Sequence, residues 1–365
     1  MRGKRDINIR RKNMIIHYTF LLSITILLFL LFRWAFRELP AEKWQILGVI
    51  PLARQPDGFR QGINLTFYGF FTATAFLFAT MLVYILMGSL AIPAGITTII
   101  LLLDLSASVP SANILARIIE KKAHTKTVGG ASFVGIVLAP LVVLLVDGIA
   151  SLWTDINIPM VSTMAVFITA YAFGEGIGRL SCISFGCCYG KPMHEMPKIL
   201  QRINWLRPLV FQGETKKIVY ADHLEGVEVF PIQAITAVLY CCAGVIGIHL
   251  FLSGYDQLSF LLTLSITQIW RFISEFLRAD FRGSLKISIY QIMALLTVPY
   301  GFLITTLSTS GQAAPPADLS NGFAILWNPL LLILLQSVWI IIFWFSGRSH
   351  TTGSILKLHV NHHKI

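Results

Sequence analysis

Three groups of reactive side chains lie at the ends of long apolar stretches. The segment Gly178-Arg179-Leu180-Ser181-Cys182-Ile183-Ser184-Phe185-Gly186-Cys187-Cys188-Tyr189-Gly190-Lys191-Pro192 joins an arginine, three thiols and a glycine-rich turn. In the segment from Gln268 to Asp280, the spacing of Arg271, Glu275 and Arg278 at i, i+4 and i+7 predicts one shared helical face. Glu175 and Arg179 form a further i, i+4 pair, a spacing at which two opposite charges neutralise each other on a helix. Taken singly, each group reads as an ion-paired helix end. Two arginine-bearing helices together point further, because a planar guanidinium holds a phosphate bidentately, whether as substrate or as leaving group. An arginine near hydrocarbon is costly unless it pairs or meets water or a ligand, so such a residue marks a candidate functional site.

The thiols have two other readings. Cys182, Cys187 and Cys188 contain no C-x-x-C, and His194 is the only histidine nearby, so their spacing predicts no metal site. A thiolate nucleophile at Cys187 or Cys188, favoured by the charge of Arg179, is the alternative. Cys241 and Cys242 read as small packing residues, and His362 and His363 belong to a basic surface tail, 347–365.

The elements that must position these groups are membrane helices. Over 365 residues, 55% are hydrophobic and 13% charged, with a mean hydropathy of +0.70. A helix needs about 20 apolar residues to cross a bilayer. Stretches 14–36, 65–87, 94–118, 128–153, 158–185, 231–252, 258–277 and 287–307 meet that length, and 323–345 is equally apolar. The count is nine if every segment crosses and eight if one is interfacial; 94–118, with Asp104, several serines and Pro110, is the weakest. The expected fold is an all-α polytopic membrane protein of about eight transmembrane helices. A small extramembranous cap is expected over 191–230, with an extended stretch at 217–221. The chain divides into a basic N-terminus, extra helix and loop (1–63), a membrane core (64–308) and a C-terminal helix and tail (309–365).

Charge constrains orientation and partners. Arg2, Lys4, Arg5, Arg10, Arg11 and Lys12 form a run expected to stay cytoplasmic ahead of a retained first helix. Arg117, Lys121, Lys122 and Lys126 crowd one later loop, and Lys191, Lys198, Arg202, Arg207, Lys216 and Lys217 the cap. The net charge of +11 suits anionic membrane lipids. Nucleic acid is excluded as a partner, because the basic residues are scattered and no recognition fold is visible.

The residues from 64 to 308 resemble the prolipoprotein diacylglyceryl transferases of bacterial membranes. Five motifs carry the resemblance in the family's order: Asn64 to Gly69, the glycine-rich Gly129 to Gly135, the signature from Gly178 to Lys191, Pro231-Ile232-Gln233, and the R-x-x-x-E-F-x-R helix from Arg271 to Arg278. The resemblance implies a core of seven helices in the bacterial cytoplasmic (inner) membrane. It also implies transfer of a diacylglyceryl group from phosphatidylglycerol to the thiol of a lipobox cysteine in a preprolipoprotein, releasing glycerol phosphate, with no cofactor. It assigns Arg179 and Arg271 to the lipid phosphate, with Glu275 orienting Arg271. Tyr68, Gly129, Gly130, Ser132, Cys182, Gln233 and Arg278 would line the substrate site. The reacting thiol belongs to the partner, so none of the chain's own cysteines need react.

The chain departs from the family where chemistry is expected. Val134 stands in place of a histidine, Cys182 and Cys187 in place of asparagine and glutamate, and Ala234-Ile235-Thr236 in place of leucine, tyrosine and glutamate. The base for an acceptor thiol is therefore unassigned. Three readings stand: the transferase, a divergent paralogue that binds phospholipid without this transfer or uses another acceptor, and a transporter using Asp104, Asp147 and Glu175 as an ion path.

Overall fold

A computed structural model describes residues 2–119, 128–202, 207–279, 287–308 and 315–365. Lys121, Lys122, Lys126 and Asp280 lie outside the described residues, as do the side chains of the basic run before residue 13. The chain runs through α1 (Arg2–Glu38), a hairpin of β1 (Ile46–Arg54) and β2 (Arg60–Thr66), then α2 (Phe67–Ser89), α3 (Ala94–Ile119), α4 (Val128–Ala150) and α5 (Met160–Phe185). The cap follows with α6 (Lys198–Gln201), β3 (Leu209–Val210), α7 (Lys217–Asp222) and β4 (Glu228–Val229). The chain continues with α8 (Ile232–Leu252), α9 (Asp256–Ser274), α10 (Ile289–Ser308), α11 (Leu319–Leu326), α12 (Pro329–Gly347) and β5 (Arg348–Leu356). Among the described residues, nine helices are long and apolar enough to cross a membrane, the higher of the two counts read from the sequence. The fold is an all-α multi-pass membrane architecture with a few short strands.

The buried centre is α5, which packs against α2, α8 and α9. Lipid tails are as apolar as leucine, so helices in a bilayer gain by close packing and small residues mark the contacts. Gly176 of α5 lies so close to α8 that an added Cβ would stand 2.7 Å from Cys241 Sγ. This confirms Cys241 as a packing residue. α3 continues through Pro110, and α3 and α4 pack as a pair that touches α2 and α5 only sparsely, leaving a cavity between the two pairs.

Two expectations are corrected. The stretch 217–221 is helix α7 rather than extended chain. It is anchored where Lys216 Nζ, fully buried, donates to the terminal carbonyls of two helices, Leu39 O at 3.2 Å and Ser184 O at 2.7 Å. The tail is also more than a surface extension: β5 pairs antiparallel with β2, which pairs with β1. Polar side chains explain this docking. Asn64 donates to Thr352 Oγ1 at 3.3 Å and accepts from Ser354 Oγ at 2.5 Å. Thr66 caps α2 and donates to Gly347 O at 2.9 Å. Such pairings join residues nearly 300 positions apart, where no local pattern signals them.

Lys216 gives the fold a pH signature. Burial lowers its pKa from 10.5 to about 8, against a smaller opposing pull from Glu42. Between those values the unfolded chain binds more protons than the folded one, so folding stability is expected to rise with pH across that window. The neutral amine still donates both hydrogen bonds. Thermal unfolding in detergent from pH 7.5 to 10 is expected to show this rise, and Lys216→Met is expected to flatten it; an unchanged slope would remove Lys216 as its source.

Candidate active site

Alternating helix directions bring the predicted residues to one end of the bundle. The last turns of α5 carry Glu175, Arg179 and Cys182, and the last turn of α9 carries Arg271. The first turns of α2, α4 and α8 supply Tyr68, then Gly129, Gly130 and Ser132, then Gln233. Cations near helix C-termini are favoured by the helix dipoles.

The centre of the site is a carboxylate shared by two guanidinium groups. Glu175 Oε1 accepts a short hydrogen bond from Arg179 Nη2 and lies 3.6 Å from Arg271 Nη1. The side chains are 13%, 6% and 10% exposed for Arg179, Glu175 and Arg271, so water screens them little. Tyr171, one turn before Glu175, accepts from Arg271 Nη1 at 2.9 Å through its hydroxyl. Two cations share one carboxylate, which leaves a buried excess of positive charge. Arg179 Nε is buried with no hydrogen-bond partner among the described residues. A buried donor without a partner costs about 1–3 kcal/mol, more when charged, so this end of Arg179 is suited to an incoming acceptor.

Beside these charges lies a cavity of about 410 Å³ between the α2–α5 and α3–α4 pairs. Arg179, Glu175, Tyr68, Ser132 and Cys182 line it at one end, and Ala79, Val83, Ile136 and Ile168 give it apolar walls. A larger cavity of about 780 Å³, lined by Asp147, Ser162 and Asp256, has no arginine among the described residues that line it. The smaller one therefore holds the arginine–carboxylate pair against mostly apolar walls. Gly129 lets Arg271 approach closely, since a Cβ there would stand 3.0 Å from Arg271 Nη2 and push the guanidinium aside. Ser132 Oγ donates to Gly129 O at 3.0 Å, and Gly130 is buried beside it. Gln233 Nε2 donates to Cys187 O at 3.0 Å, while its Oε1 is buried without a partner among the described residues.

The helix face expected for Arg271, Glu275 and Arg278 is broken. α9 ends at Ser274, residues 275–277 tighten into a 3-10 turn, and Arg278 is extended. Glu275 accordingly pairs with Arg278 at 3.6 Å, and the carboxylate held against Arg271 is Glu175, not Glu275. Arg278 serves a backbone junction instead. It forms an antiparallel bridge with Gly190, flanked by Lys191 N to Leu277 O and Ala279 N to Tyr189 O, both 3.1 Å. A Cβ on Gly190 would meet Phe230 O at 2.3 Å, so this crossing admits only glycine. Two motifs separated by about 90 residues are thereby tied together.

Sequence reasoning missed Glu175 as the shared carboxylate and missed Tyr171. The signal was present, because positions 171, 175 and 179 follow i, i+4, i+8. The thiolate reading for Cys187 is weakened. Hydrogen bonding with Cys182 and then Cys188, with burial, pushes its pKa well above the ordinary thiol value. The three acids of the ion-path reading do not share one cavity: Asp104 and Glu175 line one, while Asp147 lines the other and accepts from Ile158 N at 2.8 Å.

These features define a class: a multi-pass membrane protein with a buried guanidinium–carboxylate group, cationic on balance, at the end of an apolar cavity. Comparison with known proteins supplies the family. The family model for prolipoprotein diacylglyceryl transferase matches residues 56–307, and the chain belongs to that family. A relative from Dehalococcoides mccartyi, named phosphatidylglycerol–prolipoprotein diacylglyceryl transferase, is 25% identical over 140 residues, 36% of this chain. The chain spans about half of that relative, 46% of its length. No solved structure matches the chain.

Proposed function

We propose that this chain is a diacylglyceryl transferase of the bacterial cytoplasmic membrane. Its donor is phosphatidylglycerol and its acceptor the lipobox cysteine thiol of a preprolipoprotein. The observation that carries this reading is the buried Arg179–Glu175–Arg271 group, with its positive excess and, among the described residues, the unpartnered Arg179 Nε; its Arg179 and Glu175 line an apolar cavity inside a fold of this family. An anionic phosphodiester on two acyl chains matches both halves of that site.

The acceptor sulfur attacks the glyceryl carbon that bears the phosphate, forming a C–S bond as the C–O bond breaks. The bonding pair leaves with glycerol phosphate, and the thiol proton ends on the phosphate monoester or in solvent. Negative charge concentrates on the departing phosphate, and guanidinium groups already fixed by Glu175 and Tyr171 stabilise it without rearranging. Val134, Cys182 and Cys187 at the family's polar positions favour a second reading, a paralogue that binds the lipid but uses another acceptor or none.

Mass spectrometry of a lipobox peptide incubated with purified protein and phosphatidylglycerol separates the two. A diacylglyceryl adduct on the peptide cysteine is the expected result. Bound phosphatidylglycerol without an adduct would replace the transferase with the binding protein.

A further inference from the structure

The turn after α5 brings together three thiols that their spacing in the chain does not mark as a cluster. Gly186 caps the helix at φ 71°, and the N–H groups of Gly186 and Cys187 both bond to Cys182 O, at 2.9 and 3.0 Å. The chain therefore folds back over the last helical turn. Gln233 holds the Cys187 carbonyl, and Cys188 takes φ 55°, a left-handed conformation uncommon outside glycine. The result is that the sulfur atoms of Cys182, Cys187 and Cys188 all lie within 4.8 Å of one another. None of the three is in a disulfide.

We propose that Cys182, Cys187 and Cys188 form a three-sulfur site for one soft, thiophilic cation of the Zn²⁺ or Cd²⁺ kind. Sulfur ligands about 2.3 Å from zinc stand about 4 Å apart, so the three sulfur atoms need to draw together by less than about an ångström to complete the site. The choice of cation follows from the ligands, since three thiolates and no carboxylate select soft over hard metals. Cys182 lines the cavity, which gives the ion a route in. Binding displaces the three thiol protons to solvent and changes no oxidation state, and the nearby Arg179 offsets part of the thiolate charge. Linear spacing predicts no metal site here; the reversing turn brings the three sulfur atoms together regardless of that spacing. This site stands independently of the transferase reading.

The test uses the full chain, purified in detergent under reductant and titrated with Cd²⁺. Binding is followed by thiolate-to-cadmium charge-transfer absorbance and native mass spectrometry. One Cd²⁺ per chain is expected, with affinity falling as the pH is lowered. Cys182→Ser, Cys187→Ser and Cys188→Ser should each weaken it at least about 100-fold, while Cys242→Ser leaves it unchanged. Thermal unfolding of each serine variant confirms that it is folded. Retained binding in the three variants, no binding in the parent chain, or a Cys182 disulfide to either neighbour that persists under reductant would each overturn the proposal.

Discussion

Arg179→Ala and Arg271→Ala are each expected to lower diacylglyceryl transfer at least about 10³-fold in kcat/KM, a loss of about 4 kcal/mol in transition-state stabilisation. The size follows from burial. Both guanidinium groups lie where solvent cannot substitute for them, and both converge on Glu175. Lysine should recover only part of the activity at either position, because a point charge lacks the planar fork that holds two phosphate oxygens. The measurement is turnover of a lipobox peptide with phosphatidylglycerol, alongside retention of the lipid by the detergent-purified protein. If both alanine variants turn over normally, the phosphate-clamp mechanism is wrong, whatever else the cavity binds.

Removing the shared carboxylate should give the largest effect on stability. Glu175→Ala leaves two buried guanidinium groups facing each other without their common anion, and breaking a buried ion pair from one side costs about 3–5 kcal/mol. Glu275→Gln should cost less, because it releases Arg278, whose segment is also held by backbone bonds to residues 189–191. Thermal unfolding in detergent is expected to rank Glu175→Ala well below Glu275→Gln. Added phosphatidylglycerol should restore part of the loss in Glu175→Ala, since its phosphate replaces the missing anion. Equal destabilisation of the two variants would mean that Glu175 does not bridge the arginines.

The helices and most of their ends were legible in the sequence, and their number to within one, because apolar length is a local property. The two arginine clusters were legible for the same reason, as each spans fewer than ten residues of chain. Family order then linked Tyr68, Gly129, Gln233 and Arg271 to one site before any contact was known. The break after Ser274 was not legible, since residues 271–278 keep helical spacing while the chain leaves the helix to bond residues 189–191, which are distant in sequence.

By itself the sequence determined that this chain is a multi-pass membrane protein with arginines at two helix ends. Hydrocarbon enforces both: a spanning segment must be apolar and helical, and a charge kept within it stands out. Only the tertiary structure decided which carboxylate serves which arginine, that the tail's strand closes on the N-terminal hairpin, and that three spaced cysteines converge. Each depends on helix packing and a glycine-capped turn. Those relations join residues that are distant in the chain, or reverse its direction within a few positions, and periodicity encodes neither.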